Sequence, residues 1–396
     1  MTATEARRRP LLYVDLGAVA ANTGAVRART RAEVMAVVKG DGFGHGAIQV
    51  ARTALAHGAS SLGVTSVAEA LHLRQAGIGA PLLSWLNTVD TDFAPALSAG
   101  IELAVPGLEH LRAVTAAARA LGGTARIHLH ADVGMARDGA PAAIWPALCA
   151  GARQAQGRGL VEVVGLMGHL GCADRPTDPH NEAARRRFGT FVTEARRTGL
   201  RPRWRHLAAT AAALTSPPTH FDLVRIGAGL YGIDPTNGAA SLDPPLTPAL
   251  TLTAPVISAM DVPAGTPVGY GCHYVTPAAT RLALLPVGYA DGIPRCVTGR
   301  AEVLLRGRRR RVVGRVSMDQ IVVDTGGDPV VPGEVAVVLG PGDRGEPRAA
   351  EWARWADTLE HEIATGLGAA PRLTRRHIPS GGAPSATARI PQATRT

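Results

Sequence analysis

The chain has 396 residues, 46% of them hydrophobic, and its 42 lysine and arginine residues outnumber 32 acidic ones for a formal charge of +10. That length is enough to bury a large core and implies two domains. Aromatic residues make up only 4% and the arginines are scattered, so the clustered basic face of a nucleic-acid binder is not expected.

In chain order, Arg7-Arg8-Arg9 stand before an apolar stretch in the manner of a signal peptide, but Asp15 interrupts it. No apolar run reaches the ~18 residues of a membrane span, so no membrane association is expected. Val34-Met35-Ala36-Val37-Val38 is a short, β-branched apolar run that suits a strand buried on both faces and ends at Lys39. Further strand candidates follow at 61–66, 81–86, 101–105, 125–131, 162–169, 204–208 and 222–226, with helical patterns between them. With 34–39 they number eight. Alternating strands and helices in that number predict an α/β fold, a closed (β/α)8 barrel of the TIM type over 10–240, with an open doubly wound sheet as the alternative.

Past Gly232 the texture changes. Pro244-Pro245 and Pro248 mark a connector, and short runs at 251–258, 281–287, 301–305, 311–316, 320–324 and 335–339 are split by glycine and proline turns. They predict a mainly-β domain over 241–379 with no long helix. The basic run from Arg306 to Arg311, broken by Gly307, is expected on an exposed strand or hairpin. Residues 380–396 are poor in apolar side chains and are expected to be a disordered tail. Cys149, Cys172, Cys272 and Cys296 match no disulfide framework or metal-ligand spacing, which fits a reducing cytoplasm and predicts no metal.

One residue stands out against this background. Lys39 is the only lysine in the chain. Arginine serves wherever a plain positive charge is needed, but only a lysine amine can lose its proton and condense with a carbonyl. The structural alternative is a chance survivor of an arginine-rich composition. Its setting argues otherwise: Gly40-Asp41-Gly42-Phe43-Gly44-His45-Gly46 holds four glycines in seven residues, which lets the backbone turn sharply and approach a ligand at the end of a strand.

The run Ala36-Val37-Val38-Lys39-Gly40-Asp41-Gly42-Phe43-Gly44-His45-Gly46 resembles the lysine signature of bacterial alanine racemases, which use pyridoxal 5′-phosphate (PLP). The resemblance continues in family order through Asp132 to Arg137, Gly168-His169, His206 to Ala212, Val224 to Gly232, Val268 to Gly271, Leu285 to Gly292 and Val313 to Gln320, spanning about 12–375. It implies a PLP-binding barrel followed by a β domain, an amino-acid substrate, and a head-to-tail homodimer with composite sites. By resemblance Lys39 holds PLP and acts as base on one face of the substrate, and Tyr270 acts on the other. His169 and Arg225 resemble the relay behind Tyr270, whose free pKa near ~10 is too high for neutral-pH work unaided. Arg225 takes the place beside the pyridine nitrogen, where a permanent donor keeps that nitrogen unprotonated and limits side reactions. Arg137 and the Met318 amide resemble the groups that hold the substrate carboxylate, and Tyr289 and Arg295 the entrance gate. Thr210 with the amides of Gly227 and Ala228 is expected to cradle the phosphate.

Three positions depart from the family pattern. Phe43 replaces a phosphate-binding tyrosine, and Gly368 falls where a second one is usual, a change expected to open space beside the substrate. His130 stands where many members carry a carbamylated lysine, and is expected to accept a hydrogen bond from Arg137. The expected activity is interconversion of L- and D-alanine, with racemisation of another small amino acid such as serine, or a non-catalytic PLP-binding relative, as alternatives. A PLP-dependent decarboxylase of the same plan would carry a cysteine-containing C-terminal motif that this chain does not display.

Overall fold

A computed structural model describes residues 3–379. The tail expected at 380–396 lies outside the described residues. The chain divides into two compact units, one of residues 20–42 and 47–246, the other of 1–19, 43–46 and 247 onward.

The first strand, β1 (Leu11–Asp15), belongs to the second of these units. The eight that follow are β2 (Glu33–Val37), β3 (Ser61–Val64), β4 (Leu82–Ser84), β5 (Glu102–Val105), β6 (Ala125–His130), β7 (Val161–Met167), β8 (Trp204–His206) and β9 (Leu223–Ile226). They form one parallel sheet in the order β8-β7-β6-β5-β4-β3-β2-β9. Between its end strands, Asp222 N–H donates to Arg205 O and Arg225 N–H to Ala208 O, each at 3.0 Å, nearly closing the barrel. Most strand residues are buried without alternation, because both faces are covered, by helices outside and by packed side chains within. Each strand predicted from its apolar run is present, shifted by a residue or two.

The helices start and stop where capping chemistry dictates. Ser66 accepts from Glu69 N–H while the Glu69 side chain returns to the Ser66 amide, a capping box that opens Val67–Gln75. Asp178 caps Pro179–Arg197, and Gly122, left-handed at φ 63°, ends Leu108–Leu121.

The other unit is built on a nine-stranded sheet. Its strands after β1 are β10 (Leu250–Pro255), β11 (Ser258–Val262), β12 (Pro267–Val268), β13 (Tyr274–Val275), β14 (Thr280–Leu285), β15 (Glu302–Leu305), β16 (Arg308–Val313), β17 (Ile321–Gly326), β18 (Val335–Leu339) and β19 (Thr374–Ile378). The sheet order is β11-β14-β17-β16-β15-β18-β10-β1-β19, with β12 and β13 paired apart as a hairpin. β1 runs antiparallel to β10, Leu11 facing Thr253, and parallel to β19, Leu11 facing Thr374. The N-terminal boundary expected at residue 10 is therefore corrected. Leu12 and Val14 carry β1 into the β unit's core beside Leu252 and Trp352, so burial assigns this strand, not its position ahead of the barrel. Two short helices, Ala349–Ala356 and Glu360–Ala369, accompany the strands of this unit. Buried Trp352, whose indole N–H reaches Val338 O at 2.8 Å, anchors the first of them.

Gly368, near the end of Glu360–Ala369, lies directly on the backbone of Gly44. A Cβ at Gly368 would overlap the Gly44 Cα and carbonyl, and one at Gly44 would meet Ala364 O at 2.5 Å. The space expected at Gly368 is thus filled by main chain. Glycine is required there for close approach, not for substrate room. In the same helix Gly366 has no neighbour closer than 3.7 Å to its would-be Cβ. G368A should therefore lower unfolding stability by about 2 kcal/mol through overpacking, whereas G366A should leave it unchanged or raise it by up to ~1 kcal/mol through helix propensity. Urea titration of the two variants should show a loss of stability in G368A and none in G366A.

Candidate active site

Lys39 follows β2 and begins a turn of unusual hand. Gly40 (φ 61°, ψ 44°), Asp41 (51°, 48°) and Gly42 (64°, 45°) are all left-handed, and Phe43 (φ 53°) and Gly44 (φ 80°) continue the run. Each non-glycine residue there costs ~1–2 kcal/mol, which explains the glycines and makes Asp41 and Phe43 strained positions. Hydrogen bonds hold the turn. Gly42 N–H donates to Val38 O at 2.9 Å, Gly40 N–H to Glu69 Oε1 at 2.7 Å, and Ala47 N–H to Asp41 Oδ1 at 2.8 Å. Burial lowers the Lys39 amine pKa first, the Arg137 charge lowers it further and Arg225 adds a little, while Glu69 opposes them.

Arg225 projects from β9 and is buried. Its NH1 donates to His206 Nδ1 (2.9 Å) and His206 O (3.0 Å). Its NH2 donates to Gly168 O (2.7 Å), Leu207 O (3.1 Å) and His169 Nδ1 (3.2 Å). Nε makes no hydrogen bond among the described residues, and it is not one of the sealed orphan atoms of the interior. Burial brings the guanidinium down to about 10, so it stays charged at neutral pH.

Because a guanidinium only donates, it fixes the direction of everything behind it. His206 must accept at Nδ1, so its Nε2–H donates to His128 Nδ1 at 2.8 Å, and His128 Nε2–H donates to Glu102 Oε2 at 2.8 Å. Glu102 is also paired with Arg126 at 2.8 Å. Among the described residues no carboxylate is in contact with the buried charge of Arg225; its counter-charge is reached through two imidazoles. Sequence reading did not assign roles to Glu102, His128 or Glu69. The available signal was an acidic residue inside the buried strand Glu102–Val105, a placement that is costly unless it is paired.

His169 follows β7. Its Nδ1 accepts from Arg225, which leaves the ring proton on Nε2. Burial, with Arg225, Arg137, His130 and Lys39 adding to it, takes its pKa down to about 3, so the ring is neutral at physiological pH. Arg137 makes no ion pair or hydrogen bond among the described residues. It lines a small cleft with His130, Asp132, Met135, Asp138 and His169. The expected His130 to Arg137 hydrogen bond is not formed. His130 Nδ1 lies 3.3 Å from Asp138 Oδ2, and His130 is the main cause of the lowered Asp138 pKa. The ring nitrogen expected to face Arg137 is turned toward this carboxylate instead.

The Thr210 hydroxyl accepts from Gly227 N–H (3.2 Å) and Gly229 N–H (3.3 Å), which directs its own proton outward. Gly227 is thereby engaged. Ala228, first residue of a 3-10 turn, keeps an N–H uncommitted among the described residues. Phe43 has no hydroxyl to offer, and its ring faces His361 at 5.7 Å between centroids.

The remaining predicted residues lie in the β unit. Tyr270, in a short turn after left-handed Gly269, is 72% exposed, Met318 58% and Tyr289 42%. The structure brings these segments together: Tyr289 N–H donates to Ser317 O (3.0 Å) and Ala290 N–H to Met318 O (2.8 Å), while Gly269 packs on Gly314 and Arg315. The Met318 amide makes no hydrogen bond among the described residues, and Arg295 is exposed. Elsewhere, Cys172, Asp178 and His180 have ligand atoms within 4.8 Å of one another. Arg175 already supplies the positive charge there, at 3.4 Å from Cys172 Sγ and 3.0 Å from Asp178 Oδ2.

A lysine and a neutral histidine at the C-terminal ends of barrel strands, with a buried arginine between them, define a (β/α)8-barrel enzyme of the kind that works at its strand ends. Comparison with known proteins narrows the class. Residues 14–235 match the family "Alanine racemase, N-terminal domain" and 249–377 match "Alanine racemase, C-terminal domain". The chain is 46% identical over 375 residues to the alanine racemase of Frankia casuarinae, covering 93% of this chain and 96% of that protein. It is 45% identical over 357 residues to that of Thermobifida fusca, covering 90% and 95%. The crystal structure of alanine racemase from D-cycloserine-producing Streptomyces lavendulae superposes with a TM-score of 0.91 at 45% identity, over 94% of this chain and 97% of that one. The chain belongs to the alanine racemase family and is an enzyme of that family.

The buried groups set an acid limit on stability. His169 falls from 6.5 in the unfolded chain to about 3 in the folded one. Between those values the unfolded state binds more protons, so the neutral ring's contribution is full above pH 6.5 and is lost as pH falls toward 3. The lowered pKa of Glu102, caused among its neighbours chiefly by the His128 hydrogen bond against opposing burial, acts in the same direction. The urea midpoint should decline as pH drops from 7 to 5, and the decline should be smaller in H169N.

Proposed function

We propose that the protein interconverts L- and D-alanine with pyridoxal 5′-phosphate, Lys39 and Tyr270 being the two bases. The observation that carries the reading is the only lysine of the chain, half-buried at the end of a barrel strand and made less basic by burial and two arginines. The alanine racemases of known structure and sequence that the chain resembles support alanine as substrate.

The donors present fit the cofactor. Thr210's outward hydroxyl proton and the uncommitted Ala228 N–H suit a phosphate, and Arg225 Nε–H suits an unprotonated pyridine nitrogen. Without a hydroxyl on Phe43, and with Gly368 closed by Gly44, two family phosphate donors are absent. At roughly 1.5–3 kcal/mol for a hydrogen bond to a charged group, each loss weakens phosphate retention. When bound, PLP spreads the negative charge left at the substrate Cα into its ring.

The chain's own residues do the rest. Lys39 holds the cofactor, then takes or returns the α-proton at Nζ. Tyr270 Oη does so on the opposite face, its phenolate stabilised by His169 Nε2–H, which Arg225 orients through Nδ1. Arg137 and the Met318 amide hold the carboxylate. Exposure of Tyr270, Met318 and Tyr289 on the β unit supports a homodimer in which one protomer's β unit serves its partner's barrel. Tyr289 and Arg295 are then the gate. The uncrosslinked state of all four cysteines supports a cytoplasmic setting. Among the described residues, no helix is long and apolar enough to cross a membrane.

Incubation with PLP and L-alanine in heavy water should give α-deuterated D- and L-alanine by NMR and chiral chromatography. K39A should abolish exchange. Y270F should lower racemisation at least 100-fold while the L-enantiomer or the D-enantiomer alone continues to exchange through Lys39. Equal exchange of both enantiomers in Y270F would refute the two-base assignment.

A further inference from the structure

We infer that Glu69 is a positioning residue for Lys39: its carboxylate bolts the left-handed turn that presents the amine to the loop after β3 and brings a negative charge to that turn. The inference rests on the reading of Lys39 as the reacting amine. Glu69 opens the helix Val67–Gln75 at its third position and satisfies a capping box with Ser66. That alone is an ordinary helix start. Its other contacts are not required by a cap. Oε2 accepts from Thr65 N–H at 2.8 Å and Thr65 Oγ1 at 2.6 Å, both shorter than the 3.3 Å contact from Ser66 N–H. Oε1 reaches 29 residues back to Gly40 N–H at 2.7 Å.

Four donors from two strand ends therefore converge on one carboxylate, and no arginine pairs with it among the described residues. All four are neutral, so the full negative charge remains to act on its surroundings. Of the charged groups acting on the amine, Arg137 and Arg225 disfavour its ammonium form and Glu69 favours it, with His169 also within reach of the amine's charge. This matters for a racemase base. An amine depressed without limit by burial and two arginines takes up no proton, whereas a reversible reaction requires it to accept one and give it back. The same carboxylate stabilises the strained run Gly40 to Phe43 at its first residue, where a loose amide would let the turn relax toward the right-handed region.

Glutamine is an informative substitute because every partner of Glu69 is a donor. A glutamine amide must turn its NH2 against either Gly40 or Thr65, losing one anchor and the charge together. The test uses the full-length chain, free of PLP, labelled with [6-13C]lysine; because Lys39 is the only lysine, one NMR signal titrates. In E69Q its midpoint should move to lower pH, and Gly40 amide exchange should accelerate. S66A, which removes the helix cap but keeps the carboxylate, should leave both unchanged. An unchanged midpoint and unchanged Gly40 protection in E69Q, or equal shifts in S66A, would reduce Glu69 to a helix cap and overturn the inference. If E69Q fails to fold, E69D decides. Retained charge with lost Gly40 protection supports the anchor, and retained protection on the shorter side chain refutes it. The titration needs neither cofactor nor substrate, so failure of the racemase reading would appear separately, as absent α-deuteration in the unmodified chain.

Discussion

A buried arginine without a contacting carboxylate is the constraint on which the barrel site depends. Isolated, the Arg225 charge would be prohibitively expensive to desolvate. It is made tolerable by three main-chain carbonyls and two imidazoles, and behind one imidazole by the His206, His128 and Glu102 chain. Since the guanidinium can only donate, each histidine in contact with it is held in one tautomer with an acceptor inward. His169 is left neutral, with its remaining N–H available for a partner. The basicity of Lys39, lowered first by burial and then by Arg137, is reduced a little further by the same charge. Stability and chemistry are therefore two aspects of one network, and both are most exposed to loss in acid.

The second constraint is the hand of the turn after Lys39. Five successive residues with positive φ are a conformation that L-amino acids resist, and here they follow directly on the proposed base. The turn is kept by bonds from its side and end: Glu69 to Gly40, Asp41 to Ala47 and Tyr231 Oη to Val37 O. Its last residues are packed by main chain, Gly44 against Gly368 and the carbonyl of Ala364. Proton transfer over hydrogen-bonding distances demands a fixed donor, and the hydrogen bonds to Gly40, Asp41 and Val37 hold the backbone around Lys39.

The barrel strands were legible because a strand covered on both faces is an uninterrupted apolar run, and Val34 to Val38, Leu103 to Val105 and Val163 to Met167 are such runs. Lys39 and the motifs around His169 and Arg225 were legible because their chemistry or order along the chain is distinctive. Gly368 was misread. A missing side chain looks like space in a sequence, but whether a cavity or another backbone occupies the place depends on a residue more than 300 positions away. His130 was misread for a similar reason: Arg137 and Asp138 are adjacent in sequence, and only the fold decides which of them the imidazole meets.

The alternation of eight strands with helices along the chain, the change to β structure after Gly232, the identity of the only lysine and the resemblance to the family were readable from the sequence. Local patterns of burial, hand and reactivity are enough for these. Tertiary structure alone decided that β1 joins the β unit's sheet, that Glu102 stands behind Arg225 through two histidines, and that Glu69 reaches Gly40. Those pairings join groups distant along the chain, and the cost of leaving a buried donor or charge unsatisfied selects among them only once the chain is folded.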